Sequence, residues 1–397
     1  MSKPRIVHIA TDEKFIDGAY HLFENAFPGL NRFVIVKPAA DPPIRFLNTE
    51  LVINAQFEVK SPGIIKRLLK ISNDHEITIL HGLNKINTII FSESSHKERF
   101  MAIVHGAEIY NSGILNNTLF GPKTKVLAEQ TEQTTFYGFV KKLYRKIRYS
   151  NIGDDYEVDF RGVLYEIKYF GSLPGYSYEH HINEDLYNSS IQRIPFTYYP
   201  IEVIIKNEEL RADGQNILLG NSSSATNNHL EALELLQNLD LGDRKVVAPL
   251  SYGSPKYAKE IIKEGKQLLP DHFSPLTNFL PIEEYNKVIS GCGIVIMNHY
   301  RPQAMGNIIA SLYLGAKVFL NDTDIYRYFK QLGCNIYLIE KDLTSSEETL
   351  VLLTQKQVRE NRKILKNTLS MDVLVEELRH SFDQLFGIRK SSREVIS

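Results

Sequence analysis

The stretch that most constrains this chain is 216–239, NILLGNSSSATNNHLEALELLQNL. Ile217, Leu218 and Leu219 make a short apolar strand, and 220–228 is a small polar loop. From His229 onward Leu230, Leu233, Leu236 and Leu239 recur at helical spacing. The loop lands where a helix leaves four backbone N–H groups without partners and points the positive end of its dipole. Asn221, Ser222, Ser223, Ser224, Thr226 and Asn227 therefore surround a place suited to a phosphate. The competing reading makes one of them a helix cap and the rest a soluble turn. A cap needs one such residue; this loop offers six.

The rest of the chain follows the same grammar. RIVHIA at 5–10 reads as a strand, with Asp12 as a candidate cap for a helix through Phe15, Ala19, Leu22, Phe23 and Phe27. The strand at 76–80 runs into His81, Gly82 and Leu83, and the strand at 99–104 runs into His105, Gly106, Ala107, Glu108, Ile109 and Tyr110. The second half has strands at 245–250, 293–298 and 317–320, each followed by a polar loop and a helix. Such alternation is the pattern of a parallel sheet covered on both faces, whose ligands gather at the carboxyl ends of the strands. A chain of 397 residues with 43% apolar content has room for two such domains. PFTYYP at 195–200 is a sensible crossing between them. The expected domains are 1–197 and 198–365, with a helical tail at 366–397 able to cross back to the first.

Composition removes several classes. The 46 basic residues are matched by 47 acidic ones, so nucleic acid is not an expected partner. Cys292 and Cys334 stand far apart in apolar contexts and indicate neither a disulfide framework nor a thiolate metal site. The cluster Tyr176, Tyr178, His180 and His181 fits no zinc spacing. No phosphate-loop or dinucleotide glycine motif follows a strand, which disfavours kinases, ATPases and simple dehydrogenases. The opening MSKPRIVHIA enters a strand directly, and no run of about 18 apolar residues occurs, so the expected setting is cytoplasmic, soluble or surface-bound.

Two further stretches carry chemistry. In 135–151, Lys141, Lys142, Arg145 and Lys146 lie beside Phe136, Phe139, Leu143 and Ile147 at helical spacing. Such a helix either rests on an anionic membrane surface or packs on its own domain with a solvated basic face. The loop 298–307 holds Arg301, a planar cation suited to a diphosphate, with Gln303, Gly306 and Asn307. The plainer reading pairs Arg301 with a surface carboxylate.

As a set, Gly220, Asn221 and Ser222 with Asn227, His229 and Glu231, the Pro249–Gly253 run, the Glu283–Glu284–Tyr285 helix, and Arg301, Pro302, Gln303 and Gly306 resemble one known family. It is the bacterial TDP-N-acetylfucosamine:lipid II N-acetylfucosaminyltransferases, the 4-acetamido-4,6-dideoxygalactose transferases. His81–Gly82 and Gly106–Ala107–Glu108 with Tyr110 match further elements of that family. The chain departs from its pattern at His105, where the family has tryptophan, and at Pro302, which leaves the sugar and acceptor open.

The resemblance implies a GT-B fold of two Rossmann-like domains facing across a cleft. It implies transfer of a deoxy-amino sugar from a TDP-sugar donor to an undecaprenyl-diphosphate-linked saccharide of an enterobacterial-common-antigen-like polymer. The setting would be peripheral, at the cytoplasmic face of the inner membrane. Donor contacts are expected from Gly220, Asn221, Ser222, Asn227, His229, Tyr252, Gly253, Glu283, Arg301, Gln303, Gly306, Asn307 and Asn321. Acceptor contacts are expected from His81, Gly82, His105 and Tyr110, and membrane contact from Lys141, Lys142, Arg145 and Lys146. No metal or other cofactor is expected, because Arg301 and two helix starts would carry the charge of the leaving diphosphate. Asp322 and Asp324 form the one Asp-x-Asp spelling and are the fallback for a metal. Glu108 or His105 would take the acceptor proton if the anomeric configuration inverts. The resemblance implies retention, and Glu108 would then orient the sugar. The alternatives are a nucleotide-sugar epimerase of the same fold and a non-catalytic saccharide-binding assembly protein.

Overall fold

The computed structural model describes residues 5–13, 15–37, 54–58, 63–110, 119–133, 160–173 and 186–388. The chain divides into two units. The first comprises Met1–Leu115, Phe139–Pro200 and Met371–Ser397, and the second Asn116–Gly138 and Ile201–Ser370. The segment 116–138 thus folds with the second unit although it lies within the first 197 residues. The reason is a helix, Pro122–Gln133, whose first turn is fastened by Glu231. An expected boundary at 365/366 likewise falls inside the continuous helix Gln355–Leu369, where Leu365 and Leu369 are both buried.

The first unit is built on seven parallel strands: β1 (Ile6–Ala10), β2 (Asn31–Lys37), β3 (Asn54–Glu58), β4 (Ile77–His81), β5 (Phe100–Ile103), β6 (Tyr169–Ser172) and β7 (Gln192–Pro195), in the order β3-β2-β1-β4-β5-β6-β7. The second has six: β8 (Ile217–Leu219), β9 (Val246–Pro249), β10 (Phe273–Leu276), β11 (Ile294–Met297), β12 (Lys317–Leu320) and β13 (Tyr337–Leu338), in the order β10-β9-β8-β11-β12-β13. Every residue of β1, β4, β5, β8, β11 and β12 is buried, as strands covered on both faces require. Pro275, which cannot donate to a ladder, sits in the edge strand β10.

In each sheet the strand order reverses at one place, between β1 and β4 and between β8 and β11. In open sheets of this kind the carboxyl ends of the strands flanking such a reversal are where a ligand crevice lies. Local signals place the loops that follow the strands. Ser254 caps Pro255–Leu268 by accepting from the Tyr257 N–H, Asn84 caps Lys85–Glu93, and Gly315 at φ 104° ends Met305–Leu314. Asp12 does not cap the first helix; the flanking residue of Ile16–Ala26 is Phe15, with no side-chain cap. The region after 160, too short in each element to show a period, forms the helix Phe160–Glu166 followed by β6.

Candidate donor and acceptor sites

At the β8–β11 crevice the loop 220–228 is stitched to itself and to the loop after β11. Gly220 turns at φ 69°, and a Cβ there would meet Asn227 Oδ1 at 2.7 Å and His229 Nε2 at 2.8 Å. Only glycine serves that position. Asn227 donates from Nδ2 to Ser222 Oγ (3.2 Å) and the Ser224 carbonyl (3.1 Å), so its Oδ1 faces the Asn221 N–H (2.9 Å) and His299 Nε2 (2.9 Å) as acceptor. Asn228 and Asn298 exchange side-chain donations to each other's carbonyls at 3.0 and 2.9 Å. Asn321, after β12, donates to Asn298 Oδ1 and to the His299 carbonyl. Thr226 donates to Gln303 Oε1 at 2.7 Å, and Gln303 Nε2 reaches Asn221 Oδ1 at 3.4 Å. The Ser223 N–H and hydroxyl both donate to the Tyr252 carbonyl, and a Cβ on Gly253, at φ 122°, would meet the Ser223 backbone.

Two helices begin in this crevice, His229–Gln237 and Met305–Leu314, and neither has a side-chain cap. The flanking residues Asn228 (φ 49°) and Ala304 (φ 61°) are the two non-glycine residues with positive φ among the described residues. For alanine that conformation is strained. The loop polar groups are therefore spent on holding the loop, not on capping its helix, and both helix starts present backbone N–H groups where an anion is favoured.

His229 is fully buried; its Nδ1 lies 3.2 Å from Tyr257 Oη and its Nε2 has no hydrogen-bond partner among the described residues. Burial pushes His229 down to about 3. Burial, then Arg301, then His229 push His299 down to about 3 as well. His299 is thus not a second cation of its loop. Arg301 donates from Nη1 to the Pro302 carbonyl (3.1 Å). Asn307 donates to Tyr285 Oη (3.1 Å), so Tyr285 meets the loop while Glu283 stays exposed on the same helix. Asp322 and Asp324 are engaged by Arg327, the former in a two-pronged ion pair. Among the described residues no three His, Cys, Asp or Glu are placed to hold a metal ion. Burial raises the Cys292 and Cys334 thiols to about 12.

The first unit's crevice carries different groups. His8 on β1 lies flat on Phe33, with ring centroids 4.0 Å apart and planes 3° apart. Its Nε2 is 3.3 Å from Asn31 Oδ1 and its Nδ1 is 3.1 Å from His81 Nε2. His81 Nδ1 is 2.8 Å from Tyr198 Oη, and Tyr198 Oη is 3.2 Å from His105 Nε2. Burial lowers His8 to about 3 and His105 to about 4; burial, then His8 and His105, hold His81 well below its ordinary value. All three rings are neutral at pH 7. Gly82, at φ 79°, turns the chain out of β4, and Asn87 donates to its carbonyl. Gly18 lets the Ile16–Ala26 helix touch the Tyr198 backbone, since a Cβ there would overlap the Tyr198 carbonyl oxygen. Tyr110 is buried at the end of the Gly106–Tyr110 helix. The side chain of Glu108 and all of Lys141, Lys142, Arg145 and Lys146 lie outside the described residues.

Residues 172–367 match the model of the family described as 4-alpha-L-fucosyltransferase, glycosyl transferase group 56. Over those residues the chain is similar to that family, and it is a glycosyltransferase. Its fold is similar to that of sucrose-phosphate synthase from Thermosynechococcus elongatus (TM-score 0.64, 8% identity, 97% of this chain and 100% of that one). It is similar also to a glycosyltransferase from Rickettsia africae (0.60, 13%, 97% and 99%) and to Anabaena HepE in complex with UDP (0.61, 9%, 96% and 100%). The two Rossmann-like units are those of the GT-B glycosyltransferases. No helix among the described residues is long and apolar enough to cross a membrane.

Proposed function

We propose that the enzyme moves a fucose-type deoxy-amino sugar from a nucleoside diphosphate donor, TDP by the sequence resemblance, to a hydroxyl of a polyprenyl-diphosphate-linked saccharide at a membrane face. The observation that carries the donor side is the pair of uncapped helix starts at Asn228 and Ala304, the second of them strained, in a crevice lined by amides and hydroxyls. Strain of this kind persists where the surroundings over-determine it, and a departing diphosphate is the ligand such N–H groups suit. Gly220, Asn221, Ser222, Asn227, His229, Gln303, Gly306, Asn307 and Asn321 form the lining, with Arg301 as the cation and Tyr252, Gly253 and Glu283 toward its edge. His81, Gly82, His105 and Tyr110 serve the acceptor. The acceptor oxygen bonds to the anomeric carbon as the nucleoside diphosphate leaves with the electron pair. With the retention that the resemblance implies, the hydroxyl hydrogen goes to the leaving diphosphate and Glu108 orients the sugar; with inversion, Glu108 or His105 accepts that hydrogen. The charge of the leaving group falls to Arg301 and the helix starts, so turnover should survive chelation of divalent cations.

The test is a panel of TDP-, UDP- and GDP-sugars incubated with a lipid-diphosphate saccharide extract, read by mass, with the product's anomeric configuration read by NMR. Transfer of a 4-acetamido-4,6-dideoxyhexose from TDP is the expected result, and the product's configuration decides between the two roles of Glu108 and His105. A water-soluble epimer as the only product would overturn the reading.

A further inference from the structure

The stretch that enters the Pro122–Gln133 helix is held by two side chains from the start of the His229–Gln237 helix, and all of these residues belong to the second unit. Asn228 Oδ1 accepts from the Gly121 N–H (2.9 Å), and Asn228 Nδ2 donates to the carbonyls of Leu119 (3.2 Å) and Asn298 (3.0 Å). One turn further on, Glu231 Oε1 accepts from the N–H groups of Lys123 (3.0 Å) and Thr124 (2.9 Å), and Oε2 accepts from the Thr124 hydroxyl (2.5 Å). Lys123 is ion-paired with Glu234 on the same helix. Gly121 leaves room for this approach, since a Cβ there would stand 2.4 Å from both Cδ and Oε1 of Glu231.

Asn228 and Glu231 occupy the flanking position and the third residue of the His229–Gln237 helix. Those are the two places of a capping box, where an asparagine and a glutamate ordinarily serve the N–H groups of their own helix start. Among the described residues neither does that job. A capping residue takes an extended backbone, whereas Asn228 stands at φ 49°, ψ 47° with its amide spent on 119–121, and the Glu231 carboxylate is spent on 123–124. We propose that 119–124 is a strap that positions the donor site: Gly121 and Thr124 draw Asn228 and Glu231 off their own helix and so leave its first N–H groups to the diphosphate. This rests on the assignment of the diphosphate to the helix starts under Proposed function. Released from the strap, the Glu231 carboxylate is free to turn back on the positive end of its own helix, where it competes with a second anion. The strap sets donor affinity without touching the donor.

The experiment is calorimetric titration of the full chain with TDP and with UDP, beside hydrogen exchange read residue by residue. In the wild-type protein the amides of Lys123 and Thr124 should be protected. Gly121→Ala should push the carboxylate off the strap and weaken binding of the tighter nucleotide about fivefold, the size of a charge effect at a helix end. Adding Glu231→Ala to Gly121→Ala should bring binding back toward the wild-type value, because the competing carboxylate is gone. A strap that only fastens the fold predicts the reverse, a double variant that binds no better than Gly121→Ala, and that result would overturn the inference. Wild-type binding by Gly121→Ala would overturn it too. Unprotected Lys123 and Thr124 amides in the wild-type protein would do so with no variant to fold. A wild-type protein whose strap amides are protected and which binds neither nucleotide would instead overturn the donor reading itself.

Discussion

The two sheets share the strand order 3-2-1-4-5-6 counted from their first strands, the first adding a seventh, yet their crevices are lined with different chemistry. The first holds rings that can each give one hydrogen and take one: His8, His81, Tyr198 and His105. The second holds amides, hydroxyls and two bare helix starts, with Arg301 in the loop. Burial acts on both but to different ends. In the first it keeps imidazoles neutral, so that lone pairs persist at pH 7. In the second it keeps water away from backbone N–H groups whose partial positive charge is then less screened. One topology thus supplies a place for ligands, and the side chains at the strand ends decide whether that place handles protons or anions.

The sharpest way to break this contrast is at Arg301. Removing the cation should cost the transition state more than the ground state, because the leaving diphosphate carries more localised charge than the intact donor. Arg301→Ala should lower turnover roughly 10²-fold, about 3 kcal/mol, with a smaller loss of nucleoside diphosphate affinity by calorimetry. Arg301→Lys should restore part of it. Near-normal turnover in a folded Arg301→Ala protein would return the anion to the helix starts alone.

Gly18→Ala attacks the other crevice from behind, pushing the first helix off the Tyr198 backbone. Overpacking of this kind costs about 1–3 kcal/mol, read as a lower denaturant midpoint at unchanged slope.

Acid should test both crevices at once. His8, His229 and His299 sit near 3 in the folded chain and near 6.5 when unfolded, so the unfolded chain binds more protons between those values. Stability therefore falls as pH drops from about 6.5 toward 3, by up to about 1.4 kcal/mol per histidine per pH unit, and is flat above 7 as far as these groups are concerned. A thermal midpoint unchanged from pH 7 to 5 would mean the rings are not held neutral.

The smallest expected effect belongs to Glu231, which accepts from the N–H groups of Lys123 and Thr124 and from the Thr124 hydroxyl. Glu231→Ala should remove the cap of the Pro122–Gln133 helix at a cost of about 1 kcal/mol. Hydrogen exchange should quicken in 122–127 and not in the strands. Uniform exchange would deny that this one carboxylate fastens the segment.

Much of this was legible in order along the chain. The strand–loop–helix at 217–237 and the strand at 317–320 announce themselves by apolar runs and by Gly and Asn at their ends, and Gly315 stops its helix where the pattern ends. The loops proposed for the donor could be named because each is local. The histidine chain could not: His81 and Tyr198 are 117 residues apart, and Asn31 and His8 look like ordinary members of a strand start and an apolar run. His299 stands two residues from Arg301 in the sequence, and only the fold shows it buried against Asn227. Asp12 had the chemistry of a cap but lies too far ahead of Ile16.

The last helix, Met371–Phe386, packs Phe382 against Phe23 and Phe27, and Arg379 donates to the carbonyls of Asn25 and Ala26 at the end of the first helix. A ribosome making this protein therefore releases the second unit's final strand well before the first unit has its closing piece. The half that begins first is finished last, and any stop codon ahead of Met371 leaves Phe23 and Phe27 without the aromatic that covers them.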